Sequence, residues 1–207
     1  QKLSPDISFG SLGNEWYGNS VSISGTIIAV GEPYGDFDST GVFLQDAGLA
    51  YVYEYNGAAN KFDYKSLLYE SSRNANDAFG TNVQVDGVDV ICGAPGNDYD
   101  AAETNMISGA GAAWAYERLS STSQWVQRTK LVAPGAYREV NAYLGLAVTV
   151  NMGTAVLGAP FQDGINMQNK TDQGSGFSYF KSGTNWLSSG FPQVFPLGQQ
   201  EAGTTLG

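Results

Sequence analysis

The sequence predicts an all-β chain of three repeated four-stranded antiparallel units, and three observations carry that expectation. Anchor residues recur at matched offsets in three copies. The segments between anchors alternate polar and apolar residues, the period of a strand. The composition also suits strands and turns: of 207 residues, 27 are Gly, 13% are aromatic and only 14% are charged, while hydrophobic residues reach 42%.

The anchors are Tyr17-Gly18, Phe79-Gly80 and Leu144-Gly145. Thirteen residues after each glycine stand Gly31-Glu32-Pro33, Gly93-Ala94-Pro95 and Gly158-Ala159-Pro160. Between the two anchors lies a first strand: Ser20-Val21-Ser22-Ile23, Asn82-Val83-Gln84-Val85 or Ala147-Val148-Thr149-Val150. A tight turn at Ser24-Gly25, Asp86-Gly87 or Asn151-Met152-Gly153 leads into a second. That second strand is more continuously apolar, as Ile27-Ile28-Ala29-Val30 illustrates, which implies burial on both faces. Third strands begin at Gly48, Gly111 and Gly174, spaced by 63 and 63 residues. They carry the alternating aromatics Tyr51 and Tyr53, Trp114 and Tyr116, Phe177 and Tyr179, which are expected to be core. Fourth strands start near Phe62, Trp125 and Trp186, the second running from Trp125 to Leu131.

Four meandering strands with apolar faces describe a β-propeller-type blade, and one blade cannot bury both its faces alone. The expected division is an N-terminal segment over 1–16 that completes a neighbouring blade, blades over 17–78, 79–143 and 144–197, and a tail over 198–207. Lys2-Leu3-Ser4-Pro5 echoes Lys130-Leu131-Val132-Ala133-Pro134 at the end of a fourth strand. Closed propellers need about four to eight blades, so three make an incomplete propeller or part of an assembled one. A segment of a longer propeller and an edge-to-edge association of several chains both answer that shortfall. Association, as a ring or a filament, is the expectation taken here.

Phe79-Gly80, Gly93-Ala94-Pro95 and Ala113-Trp114-Ala115-Tyr116 together resemble the FG-GAP repeat, known from the propeller of integrin α subunits and from surface proteins of bacteria and protists. The resemblance spans about residues 1–190; the second copy fits best, and the others depart at Tyr17, Glu32 and Leu144. It implies a propeller fold and a role in adhesion or protein recognition. The calcium loop of integrin-like copies is missing: two-residue turns cannot supply the six or more oxygens that calcium takes. The chain therefore resembles the calcium-free variety of the repeat.

The formal net charge of −10 argues against nucleic acid and against docking on anionic lipid. The chain has no His, which removes the usual Ser-His-Asp triad and imidazole metal ligands. The single Cys92 lies in an apolar run and reads as a small buried hydrophobe. No run approaches the ~20 apolar residues of a membrane span. A start at Gln1 suits a processed secreted chain or a piece of a longer one. Asn169-Lys170-Thr171 is a glycosylation sequon, plausible in an accessible loop of a secreted protein.

No catalytic residue and no cofactor is expected. An acidic rim of Asp36, Asp38, Asp98, Asp100 and Asp163 follows the GAP-like triplets. It would be a cation or ligand face, with calcium as the cation, or a set of turn-forming aspartates, the reading preferred here. Glu32 is expected to be a surface replacement for Ala at a strand end rather than a perturbed carboxylate. The expected function is a non-catalytic extracellular or cell-surface module for protein contact, adhesion or self-assembly. Its partner is protein, foremost other copies of itself, with a lectin-like or cation-dependent module taking glycan as the alternative. A glycoside-processing enzyme is a distant third.

Overall fold

A computed structural model describes residues 1–5, 10–11, 13–120, 122, 124–163 and 171–193, the last three by backbone alone. Asn169 and the 198–207 segment lie outside the described residues.

Among the described residues twelve strands form three separate four-stranded sheets. The first holds β1 (Ser20–Ser24), β2 (Ile27–Glu32), β3 (Leu49–Asn56) and β4 (Lys61–Leu68). The second holds β5 (Asn82–Asp86), β6 (Asp89–Ala94), β7 (Ala112–Arg118) and β8 (Trp125–Leu131). The third holds β9 (Ala147–Asn151), β10 (Thr154–Ala159), β11 (Ser175–Ser182) and β12 (Asn185–Gln193). Each sheet is an antiparallel meander in chain order, which two-residue turns and short loops dictate. A bulge interrupts the last pairing of every sheet at the same place, after Val52, Ala115 or Phe177. The chain is all-β, and its sheets are propeller-type blades that do not close into a barrel.

Alternation gives each sheet a front face, towards the preceding unit, and a back face, towards the next. Ile27, Ala29, Ala50, Val52 and Leu68 on the back of the first sheet meet Val83, Val85, Val90, Cys92, Trp114 and Tyr116 on the front of the second. Ile91, Ala113, Ala115 and Leu131 repeat this against Val148, Val150, Leu157, Phe177 and Tyr179 of the third. The aromatics of the third strands are core: Trp114 is fully buried and Tyr51, Tyr53, Tyr116, Phe177 and Tyr179 nearly so. Cys92 is fully buried and burial pushes its thiol up. Burial on both faces of the second strand holds for β2 and β6, whereas Val156 of β10 is exposed, with no further sheet stacked on it among the described residues.

The inner strands β1, β5 and β9 lie side by side. The polar residues of β1 point at the next sheet rather than at water. Ser22 Oγ accepts the Val85 amide at 3.1 Å, and Ser24 Oγ accepts the Gly87 amide at 3.1 Å. The seams close most tightly on glycine. A Cβ on Gly31 would lie 2.0 Å from the Gly80 carbonyl oxygen, and one on Gly93 would lie 1.9 Å from that of Gly145. Phe79 and Leu144 form single parallel bridges to Gly48 and Gly111 beside these contacts.

Candidate functional site

The row of sheets ends in two faces on which no further sheet packs among the described residues. On the front of the first sheet, Val21 and Ile23 are 66% and 63% exposed, while their counterparts Val83 and Val85 in the first seam are 1% and 6% exposed. With Leu3, Tyr17, Ile28 and Val30 they line an apolar groove of about 450 Å³. On the back of the third sheet, Val156, Phe180 and Leu187 are exposed. Val156 holds the place of Ile91, which the second seam buries completely.

Residues 1–5 lie against the outer part of the front face. The Tyr53 hydroxyl donates to the Ser4 carbonyl at 2.8 Å. Tyr116 donates likewise to Tyr69, and Tyr179 to Val132, each in the linker after a preceding fourth strand. The Gln1 side chain accepts the Phe62 amide at 2.7 Å, as the Thr129 hydroxyl accepts that of Trp186. Gln1 to Ser4 thus make towards the first sheet the contacts that Thr129 to Val132 make towards the third.

Charged latches join neighbouring sheets. Arg118 grips Glu54 through Nε at 2.6 Å and its second guanidinium nitrogen at 3.0 Å. One period on, Lys181 Nζ contacts Glu117 at 2.9 Å and also Asp89 at 2.6 Å. The hydrogen bond it donates to Glu54 holds the Arg118 guanidinium above its usual range, and the one donated by Lys181 holds the Glu117 carboxyl below its own. Arg118→Ala removes a bidentate charge-assisted pair that is partly open to solvent. It is expected to lower stability by about 1 kcal/mol, read from the urea midpoint.

The acidic rim folds its own loops. Asp36 accepts the Asp46 amide, Asp98 the Gly109 amide and Asp163 the Asp172 amide, one carboxylate bracing each long loop. Asp38 accepts the amides of Thr40 and Val42 and pairs with Arg73 at 3.3 Å. The Thr104 amide bound to Asp100 holds that carboxyl well below the usual range. Among the described residues no three acidic or sulfur side chains come together as a metal site. Two arginines that sequence reasoning missed clamp these loops from the linkers. Arg73 donates to the carbonyls of Asp36 and Val42, and Arg138 to those of Asp98 and Asn105. Their separation of 65 residues, one repeat period, was the signal that marks them as a pair.

Glu32 is not a surface replacement. It is 2% exposed, and the Tyr51 hydroxyl donates to it at 2.9 Å. Burial pushes its carboxyl up to about 7, against that hydrogen bond. The residue stands at the strand end as expected, but Tyr51 and Leu49 flank a pocket in which only a partnered polar group is tolerated. A second buried acid went unforeseen. Glu70 and Asp77, both nearly inaccessible, face each other between the first two sheets, with the Asn97 amide 3.4 Å from Glu70. Burial, then the Asp77 charge, raises Glu70 well above its usual range, so Glu70 keeps a proton that it donates to Asp77. In the second seam Ala133, Ala142 and Gln162 stand at the corresponding places.

The FG-GAP repeat family model matches residues 10–53, from the segment before β1 to the middle of β3. No curated protein matches the chain. FG-GAP repeats are typically non-catalytic, and the likeness is to a β-propeller-like protein-interaction module. The chain thus carries an FG-GAP repeat match over its first unit, whose strand order and contacts recur in the second and third.

Proposed function

We propose that the chain is a non-catalytic protein-contact module working outside the cell or at its surface, and that its contact surfaces are the two terminal sheet faces. One observation carries this reading. Val21, Ile23 and Val156 recur at positions that the two internal seams bury, yet they are exposed and no sheet among the described residues packs on them. A face whose counterparts are dry interiors is suited to another sheet of the same kind. The extracellular setting rests on the FG-GAP likeness. The lectin-like alternative gains nothing from the rim, whose carboxylates already accept backbone amides. A groove of about 890 Å³ between the second and third sheets, lined by Lys130, Arg138, Tyr179 and Trp186, is where a small ligand would be sought first.

The test offers a panel of FG-GAP arrays, this chain included, to the wild type and to Val21→Lys/Ile23→Lys in sedimentation. Both side chains are exposed, so the melting temperature is expected to hold while contact with at least one array disappears. Failure of the wild type to contact any array sinks the reading.

A further inference from the structure

We infer that a second copy of this chain occupies the open face: the back of the third sheet of one copy stacks on the front of the first sheet of the next. The inference rests on the contact-face reading and deepens it by naming the partner. Three features of the two faces match each other.

The first is Gly158. It occupies the position of Gly31 and Gly93, where the next unit's Gly80 or Gly145 carbonyl leaves no room for a side chain. Nothing among the described residues makes that demand on Gly158. A Cβ there meets only Ala147 at 3.4 Å, an ordinary contact, and its backbone is not in the left-handed region. The glycine is accounted for if a further unit's glycine carbonyl closes on it. Gly18 is the residue at that place in a following copy, and it has open space around it.

The second is the latch. Inside the chain an acid on the back face, Glu54 or Glu117, meets a base on the next front face, Arg118 or Lys181. One period onward the acid's place holds Phe180; one period back the base's place holds Tyr55. Both rings are exposed, and Tyr55 sits beside Phe62 with ring centroids 5.4 Å apart. Stacking two copies brings Phe180 to Tyr55, an aromatic pair in place of an ion pair. A unit with the ordinary acid would bury an unpaired carboxylate against Tyr55. This chain's own third sheet avoids that mismatch.

The third is the turn. Ser24 accepts the Gly87 amide and Asp86 accepts the Met152 amide at 2.6 Å, each across a seam. Asn151, exposed and one period on, offers the same acceptor to the Gly25 amide of the next copy. One place in the new seam is claimed twice. Residues 1–3 of one copy and the end of β12 of the other both answer to the end of β8, so residues 1–5 must swing aside on stacking.

The test follows mass against concentration by sedimentation, from micromolar to millimolar chain. The wild type is expected to associate, and a variant lacking residues 1–5 to associate more tightly. Gly158→Ala is expected to keep the wild-type melting temperature and abolish association. Tyr55→Arg and Phe180→Glu are each expected to weaken association about tenfold, and mixing the two to restore it through a new Arg–Glu latch. A wild type that stays a single chain at millimolar concentration overturns the inference. So does association indifferent to Gly158→Ala and to the latch variants, or weakened by loss of residues 1–5. Contact of Val21 and Ile23 with another FG-GAP array would survive those failures, which separates them from failure of the contact-face reading.

Discussion

Gly31→Ala and Gly93→Ala are each expected to destabilise the chain by about 3 kcal/mol or more, while Gly158→Ala changes stability by less than about 0.5 kcal/mol. The three glycines share one position in three copies, so local strand propensity predicts one common and slightly favourable effect. The difference comes from what faces them. A methyl on Gly31 or Gly93 drives into the Gly80 or Gly145 carbonyl of the adjoining unit, 2.0 or 1.9 Å away, and a backbone carbonyl cannot turn aside as a side chain does. Relief requires the sheets to part, which opens the Trp114 seam in one case and the Leu157 seam in the other. Urea unfolding followed by tryptophan fluorescence checks this. Equal effects at all three positions would show that the seams do not depend on close backbone approach.

Raising the pH from 4.5 to about 7 is expected to destabilise the fold, the reverse of a protein whose carboxylates are all paired. Glu32 ionises in the unfolded chain near 4.5 and in the folded chain near 7. Between those values the folded chain binds the extra proton, so each rise in pH favours the unfolded state, by about 1.4 kcal/mol per pH unit at most. Below 4.5 the contribution is fully present; above 7 it is gone. Glu70 acts in the same direction, because burial and the Asp77 charge both oppose its ionisation. The net charge of −10 adds repulsion as acids ionise. Glu117 works the other way, being held low by Lys181, but its window lies in more acid solution. Glu70→Gln keeps the shape and the donor towards Asp77 without a proton to lose. It is expected to melt near the wild type at pH 4.5 and above it at about pH 8. A wild-type melting temperature that rises steadily from pH 4.5 to 8 would refute the assignment of buried, protonated acids.

The repeat was legible because its cause is local. Phe79-Gly80, Gly93-Ala94-Pro95 and the alternating Trp114 and Tyr116 report turn geometry and strand period, which neighbouring residues set. The fourth strand from Trp125 to Leu131 was placed to the residue for that reason. What one sheet does to the next was less visible. Glu32 looked like a harmless replacement for Ala, since its partner Tyr51 lies 19 residues away across two strands. Arg118 and Glu54, 64 residues apart, could be paired only by reading one copy against its neighbour with a shift of one period. Asp36, Asp98 and Asp163 were read as turn-forming aspartates because Asp favours turns, but spacing could not show which amide each accepts, since those amides lie 10, 11 and 9 residues on.

Every substantial contact between sheets joins neighbours, as β1 with β5 and β5 with β9 do. Such a row is a one-dimensional lattice, and its members are unequal for purely positional reasons. The central sheet is walled on both sides, whereas each flanking sheet has one wall and one bare side. Melting therefore begins at the flanks and reaches Trp114 last, and a lesion in one flank leaves the other nearly undisturbed. Capping a flank with any snug neighbour converts an edge of this lattice into an interior, so resistance to unravelling grows with the length of the row.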